Sequence, residues 1–346
     1  MGGLRLCRLG RPGRLMNIDV LLKDALAGSA QALARLISLV EDGDPEGQAV
    51  LRALHPRAGR AYLIGVTGPP GVGKSTLVDV WTASLRRGGK TVGVVAVDPS
   101  SPFTGGALLG DRVRMQDHSN DPGVFIRSMA TRGHLGGLAP ATADVAKVLD
   151  AVGYDMIFIE TVGTGQAEVD VVGAGDTVVI VLVPGLGDAV QAMKAGIMEI
   201  GEAFVVNKAD HGDADRTVAE ITMLLQLNPD QGGWRPPVVK TVATSAQGTD
   251  DALAAIEAHR RFLVANGLLE RRRRDRRRAE ILRVVESKAR DRALDLIRRG
   301  GRLDELLERV YRGELDPSTA ADELLMESPR STRSPRSKSP MRHKDE

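Results

Sequence analysis

The octet Gly68-Pro69-Pro70-Gly71-Val72-Gly73-Lys74-Ser75 fits the pattern G-x4-G-K-[ST], and it constrains this chain more than any other feature. It follows the apolar run Tyr62–Val66 and precedes a helix-compatible run from Ser75 to Leu85, so it joins a strand to a helix. Glycines let successive backbone N–H groups curl toward one point, and the helix N-terminus adds its positive end there. That geometry suits a phosphate chain, cradled by residues 68–73 and by Thr76 at the start of the helix. In such a loop Lys74 reaches the β- and γ-phosphates, and the hydroxyl of Ser75 ligates Mg2+.

Further apolar runs surround the loop: Val92–Val97, Met156–Ile159, Val178–Val183, Ala203–Val206 and Val238–Thr241. Several are apolar on both faces, as a parallel sheet buried between helix layers requires. The expected fold is α/β, a doubly wound, mostly parallel sheet. The composition agrees, because 42% apolar residues with only 3% aromatics and 39 glycines favour this class over a β-sandwich. A length of 346 residues provides about two domains' worth of chain. The single cysteine, Cys7, excludes an internal disulfide framework and a CxxC metal clip, and it points to a reducing compartment, the cytoplasm. The longest charge-free stretches, such as Ala61–Gly73 and Thr177–Gly187, are shorter than the ~18 apolar residues of a membrane helix, so no membrane partner is expected.

The formal charge of +2 conceals an uneven distribution. Residues 1–15 and residues 328–346 each carry +4, and removing both leaves −6 for the middle of the chain. Basicity therefore belongs to the ends and not to a folded surface, and no nucleic-acid partner is expected. Five segments follow: a flexible extension over 1–15, a helical segment over 16–57, a nucleotide-binding domain over 58–265, a helical segment over 266–327 and a disordered Ser/Pro/Arg tail over 328–346. The extension reads as an upstream addition before Met16, or as a targeting segment that would direct the chain to the mitochondrial matrix. Within the second helical segment, Ile281, Leu282, Val285, Ala289, Ala293 and Leu296 keep helical spacing beneath the arginine run 271–278, predicting a long amphipathic helix with a solvated basic face. Asp316-Pro317 reads as an N-cap with proline at the first helical position, opening a last helix through about Leu325.

Asn207-Lys208-Ala209-Asp210, directly after the run Ala203–Val206, selects the base. A carboxylate at Asp210 accepts two hydrogen bonds from guanine N1–H and the 2-amino group, whereas adenine offers no such donor pair. GTP is therefore expected in preference to ATP. Ser245-Ala246, after a further strand, fits a loop whose backbone N–H groups approach guanine O6. Acids at strand ends are candidates for the Mg2+ site: Asp98, Asp111 in the glycine-rich loop that follows it, and Glu160. Glu160 also opens Glu160-Thr161-Val162-Gly163, a DxxG-like turn with Glu in place of Asp. His134, in the loop Arg132-Gly-His-Leu-Gly-Gly, has no second ligand beside it in sequence and reads as a loop or packing residue.

Together these motifs resemble the MeaB group of P-loop GTPases, of the G3E type, which includes the methylmalonic aciduria type A protein and proteins labelled ArgK or LAO/AO transport ATPase. The resemblance runs from about residue 20 to 325 and rests on GVTGPPGVGKST (65–76), VAVDPSSPFTGGALLGDRVRM (95–115), SMATRGHLGGLA (128–139), FIETVGTGQAEVD (158–170), VPGLGDAVQAMKAGIMEI (183–200), VVNKAD (205–210) and ELDPSTAADELL (314–325). It implies a GTP-hydrolysing chaperone that gates cofactor loading and protects an adenosylcobalamin-dependent acyl-CoA mutase. It also implies that Asp98, Asp111 and Glu160 belong to the Mg2+ and switch site, that Gln191 and Lys194 lie on a third switch contributing to hydrolysis when the mutase engages, and that the C-terminal helices make a homodimer. Residue 164, where Ras-like GTPases place a water-orienting Gln and this group often has Val, is Thr, so slow intrinsic hydrolysis is expected. Two other functions compete: an ATP-dependent kinase of a periplasmic amino-acid transport system, and an RNA-associated GTPase using the arginine run.

Overall fold

The structure, a computed structural model, describes residues 18–43, 45–98, 118, 120–130, 140–161, 175–185, 197–227, 232–300 and 302–326. By contacts the chain divides into two units, Met1–Arg274 and Asp275–Glu346. The first opens with three helices, α1 (Ile18–Leu26), α2 (Ala30–Asp42) and α3 (Pro45–Leu54). The Ser29 hydroxyl accepts the Ala32 amide to start α2, and Gly43 at φ 71° ends it. Among the described residues seven strands follow: β1 (Tyr62–Thr67), β2 (Val92–Asp98), β3 (Val124–Ala130), β4 (Met156–Glu160), β5 (Thr177–Leu182), β6 (Ala203–Val206) and β7 (Val238–Lys240). All pair in parallel, in the order β3-β2-β4-β1-β5-β6-β7. The chain steps from β1 toward one edge and later crosses to the other, so β1 lies at the topological switch point, where open α/β sheets bind ligands beyond the strands' carboxyl ends.

Strand alternation divides the core. Ile157 and Ile159 join Val95, Phe125 and Met129 on the face covered by α1, α2, α3 and α5 (Pro140–Val152). Met156 and Phe158 join Tyr62, Ile64, Val66, Val179 and Val181 on the opposite face, against α4 (Lys74–Arg87) and the helix Thr249–Ala265. Val178, Ile180, Leu182, Phe204 and Val206 meet the helix Ala214–Leu227 in a third cluster. Burial on both faces makes the central runs apolar throughout, which is why they are legible as strands. Edge strand β3 follows another rule. Its Arg127 makes a two-pronged pair with Glu41 and donates to the Ser38 hydroxyl at 3.1 Å, both on α2, so the strand carries polar residues and lacks the continuous apolar signature.

Beneath the sheet, at the strands' amino ends, buried charges are compensated within the fold. Asp150 of α5 accepts the backbone amides of Gly59, Arg60 and Ala61, while Arg273 donates to the carbonyls of Gly59 and Ala61 at 2.7 and 2.8 Å. Arg273 also pairs at 2.7 Å with the fully buried Asp176, which accepts the Leu63 amide as well. Arg272 pairs at 2.6 Å with Glu202. These contacts fix the first turns of the 33-residue helix Leu268–Gly300 to the first unit, and the division between units falls inside that helix. The second unit contains the rest of that helix followed by Arg302–Tyr311 and Pro317–Met326, the last two packed through Leu306, Ala320 and an Arg309–Glu323 ion pair at 2.9 Å. Asp316 caps the final helix, accepting the amides of Ser318 and Thr319 at 2.9 and 3.1 Å. Among the described residues no helix is long and apolar enough to cross a membrane.

Candidate functional site

The loop 68–73 leaves β1 and enters α4 directly. Gly68 has φ 138°, and a Cβ there would stand 2.0 Å from the carbonyl oxygen of Val181, so glycine alone lets the loop lie against β5. Gly73 has φ 95°, and its Cβ would meet the Asn207 amide at 2.4 Å. Lys74 is buried and curls back over the loop, its Nζ donating to the carbonyls of Gly68 and Pro69 at 2.8 and 3.0 Å. This places a cation against the cradle with backbone carbonyls as partners, and phosphate oxygens are stronger acceptors for it.

Ser75, the next residue, donates its hydroxyl to Glu160 Oε1 at 2.6 Å, and both side chains are buried. The register Ala96↔Glu160 sets β4 beside β2, so Asp98 ends its strand near the same edge; its side chain lies outside the described residues. A hydroxyl and a carboxylate beside a phosphate cradle are the hard oxygen donors Mg2+ takes, the remaining positions being filled by phosphate and water. The residues present fit that ion.

The base-recognition segment is bound to the phosphate loop by its own side chains. Asn207, at the end of β6, donates to the Val72 carbonyl at 2.8 Å and accepts from the Thr241 hydroxyl at 3.0 Å and the Ala243 amide at 3.1 Å. Lys208, held at φ 56°, donates to the Gly71 carbonyl at 2.9 Å. One dipeptide thus fastens the phosphate loop, β6 and the turn after β7 into a single unit. The Asp210 carboxylate remains half exposed, with His211 Nε2 3.4 Å away. Ser245 and Ala246 occupy a tight turn in which their amides donate to Val242 and Ala243, Ala246 taking a left-handed φ of 55°. Asp111, Gly163, Gln191 and Lys194, together with Thr164 and His134, lie outside the described residues.

A family model described as Methylmalonyl Co-A mutase-associated GTPase MeaB matches residues 33–296. The chain belongs to the MeaB family of GTPases. A relative from Pyrococcus abyssi is 52% identical over 313 residues, covering 90% of this chain and 96% of its own length. The GTPase ArgK of Escherichia coli is 37% identical over 252 residues, 70% of this chain and 76% of its own. The Methylmalonic aciduria type A homolog, mitochondrial, of Caenorhabditis elegans is 32% identical over 333 residues, 89% of this chain and 82% of its own. Among solved structures, one titled as a LAO/AO transport system kinase superposes with a TM-score of 0.65 at 27% identity, covering 89% of this chain and 96% of that one. This MeaB-family chain is a GTP-hydrolysing enzyme, and GTP or GDP with Mg2+ are the ligands of its site.

Three contributors to the site have partners that the local sequence does not show. Thr241 buttresses Asn207 from a different strand end, 34 residues away. Thr67 and Thr161 share a hydrogen bond, 2.9 Å between hydroxyls 94 residues apart. Strand pairing brings the two threonines together, and neither motif by itself shows that its threonine meets the other.

Proposed function

We propose that this GTPase is a chaperone that gates cofactor loading and protects an adenosylcobalamin-dependent acyl-CoA mutase of the methylmalonyl-CoA type. The observation that carries this reading is the match of the mutase-associated GTPase model across residues 33–296, and the mitochondrial relative's name supports it. The site's chemistry follows from its own residues. Amides of the loop 68–73 and the N-terminus of α4 bind the phosphates, and Lys74 exchanges its two backbone carbonyls for phosphate oxygens. Asp210 accepts from the guanine edge, and Asn207 sets the distance between that carboxylate and the phosphate cradle. Ser75 and Glu160, with Asp98 and Asp111, would hold Mg2+, which when bound offsets the charge developing on the transferred phosphate. The family resemblance adds Gln191 and Lys194 as residues that complete hydrolysis when the mutase engages.

The proposal includes a homodimer and a cytoplasmic setting. Ile281, Leu282 and Val285 lie exposed one turn apart on the long helix, a face suited to a partner helix from a second copy. The single cysteine accords with a reducing compartment. The test is turnover of GTP by the purified chain, with ATP as the control, alone and with a cobalamin-dependent mutase from the same source. Slow GTP-only turnover that rises when the mutase is added is expected. GTP turnover indifferent to the mutase would overturn the client, and equal turnover of ATP would favour a transport-system kinase.

A further inference from the structure

The side chains that would hold Mg2+ are joined to the phosphate loop by a contact between two threonines that lie in separate motifs, 94 residues apart. Thr67 is the last residue of β1, immediately before Gly68, and Thr161 is the first residue after β4, immediately after Glu160. The final ladder pair between these strands is Val66↔Glu160, and the Thr161 amide extends it by one step, donating to the Val66 carbonyl at 3.1 Å. Beyond that step the Thr161 hydroxyl donates to the Thr67 hydroxyl at 2.9 Å, with both residues buried, at 2% and 0% exposure.

Strand alternation explains why this pair bears on the acid. Glu160 points toward α4, where it meets Ser75, and residues 67 and 161 point to the opposite face. Glu160 therefore sits between β1 and β2 in the ladder, and the residue after it is held at both backbone and side chain. Two valines would fill the same volume without burying hydroxyls, so packing alone does not call for threonine at either position. The hydroxyl pair adds direction, fixing where β4 ends relative to where the phosphate loop begins.

We propose that the Thr67–Thr161 hydrogen bond is a positioning latch, holding the Glu160 carboxylate against Ser75 so that the Mg2+ donors are arranged before the ion arrives. The inference rests on the reading of Ser75 and Glu160 as Mg2+ ligands. Neither threonine touches the ion or the nucleotide; both act through Glu160.

The test uses the full chain and an N-methylanthraniloyl derivative of GDP, whose fluorescence reports nucleotide release as Mg2+ is titrated. Thr161→Val and Thr67→Val should each raise the Mg2+ concentration that half-maximally slows release by about tenfold or more, the size seen when a ligand's supporting partner is removed. Release in excess EDTA should stay within twofold of the parent. Thr161→Ser, which keeps the hydroxyl, should restore the parent's Mg2+ requirement, and the double valine variant should be no worse than either single one. Valine variants that melt earlier yet keep the parent's Mg2+ requirement would overturn the latch and leave a packing role. Thr67→Val and Thr161→Ser keep the test available if Thr161→Val does not fold. Ser75→Ala separates the two levels of the reading. If it too leaves the Mg2+ requirement unchanged, the metal assignment fails and the latch with it; if it shifts the requirement and the threonine variants do not, only the latch fails.

Discussion

The two ends of the central sheet both bury charge, and they handle it in opposite ways. At the carboxyl end Lys74 is held by backbone carbonyls of a glycine-built loop, partners that phosphate can replace. At the amino end Arg273 is held by the Asp176 carboxylate and by the carbonyls of Gly59 and Ala61. One cation sits on a loop built to bind phosphate, and the other is tied to a carboxylate and two carbonyls at the foot of the sheet. Stability and ligand binding are thereby assigned to different buried charges of one sheet.

The largest effect should come from breaking the closed end. Arg273→Met leaves Asp176 fully buried without its cation, a loss of roughly 3–5 kcal/mol in unfolding free energy by chemical denaturation. Adding Asp176→Asn should recover much of that loss, because neither charge is then stranded. At the open end, Lys74→Ala should lower GTP turnover about 10²–10³-fold while changing stability by less than about 1 kcal/mol. A Lys74 variant as destabilised as the Arg273 variant would dissolve the contrast. Asp210→Asn should weaken GTP binding by roughly tenfold to a hundredfold and reduce the preference over ATP, read by competition calorimetry.

Within one pH unit the smallest change comes from a buried histidine. His259 lies between the Thr177 hydroxyl, 2.8 Å from its Nδ1, and the ring of Trp234, and burial pushes its pKa down from 6.5 to about 3. Below pH 6.5 the unfolded chain takes up a proton on this ring that the folded chain refuses until about pH 3. Its contribution to stability is therefore complete above 6.5 and is lost as pH falls through that window, at ~1.4 kcal/mol per pH unit. His259→Gln should make the stability–pH slope between 6 and 4 shallower by about that amount. An unchanged slope would place the acid sensitivity elsewhere, and not in Glu202, whose carboxyl pKa burial raises and whose contribution to stability is therefore lost as pH rises, not as it falls.

Much of the site was legible in the sequence because its signals are local. Gly68, Gly73, Lys74 and Ser75 sit at fixed spacing, and the structure gives the two glycines the positive φ and close approaches that the spacing implies. The doubly wound sheet was legible as well, since burial on both faces writes continuous apolar runs. Edge strand β3 was not, because its Arg127 is paired to a helix more than 80 residues away and breaks the run. Asp150, Asp176 and Glu202 look in sequence like ordinary solvated acids, and each is buried against partners from distant elements.

By itself the sequence determined the phosphate loop, the preference for guanine and the class of fold, because each depends on residue type and short spacing. Tertiary structure alone decided that Asn207 and Lys208 grip the phosphate loop, that Arg273 roots the long helix beside Asp176, and that Thr67 meets Thr161. The physical reason is that a hydrogen bond needs its partners within about 3 Å. For residues tens of positions apart, strand register and the packing of helices and loops on the sheet set that distance.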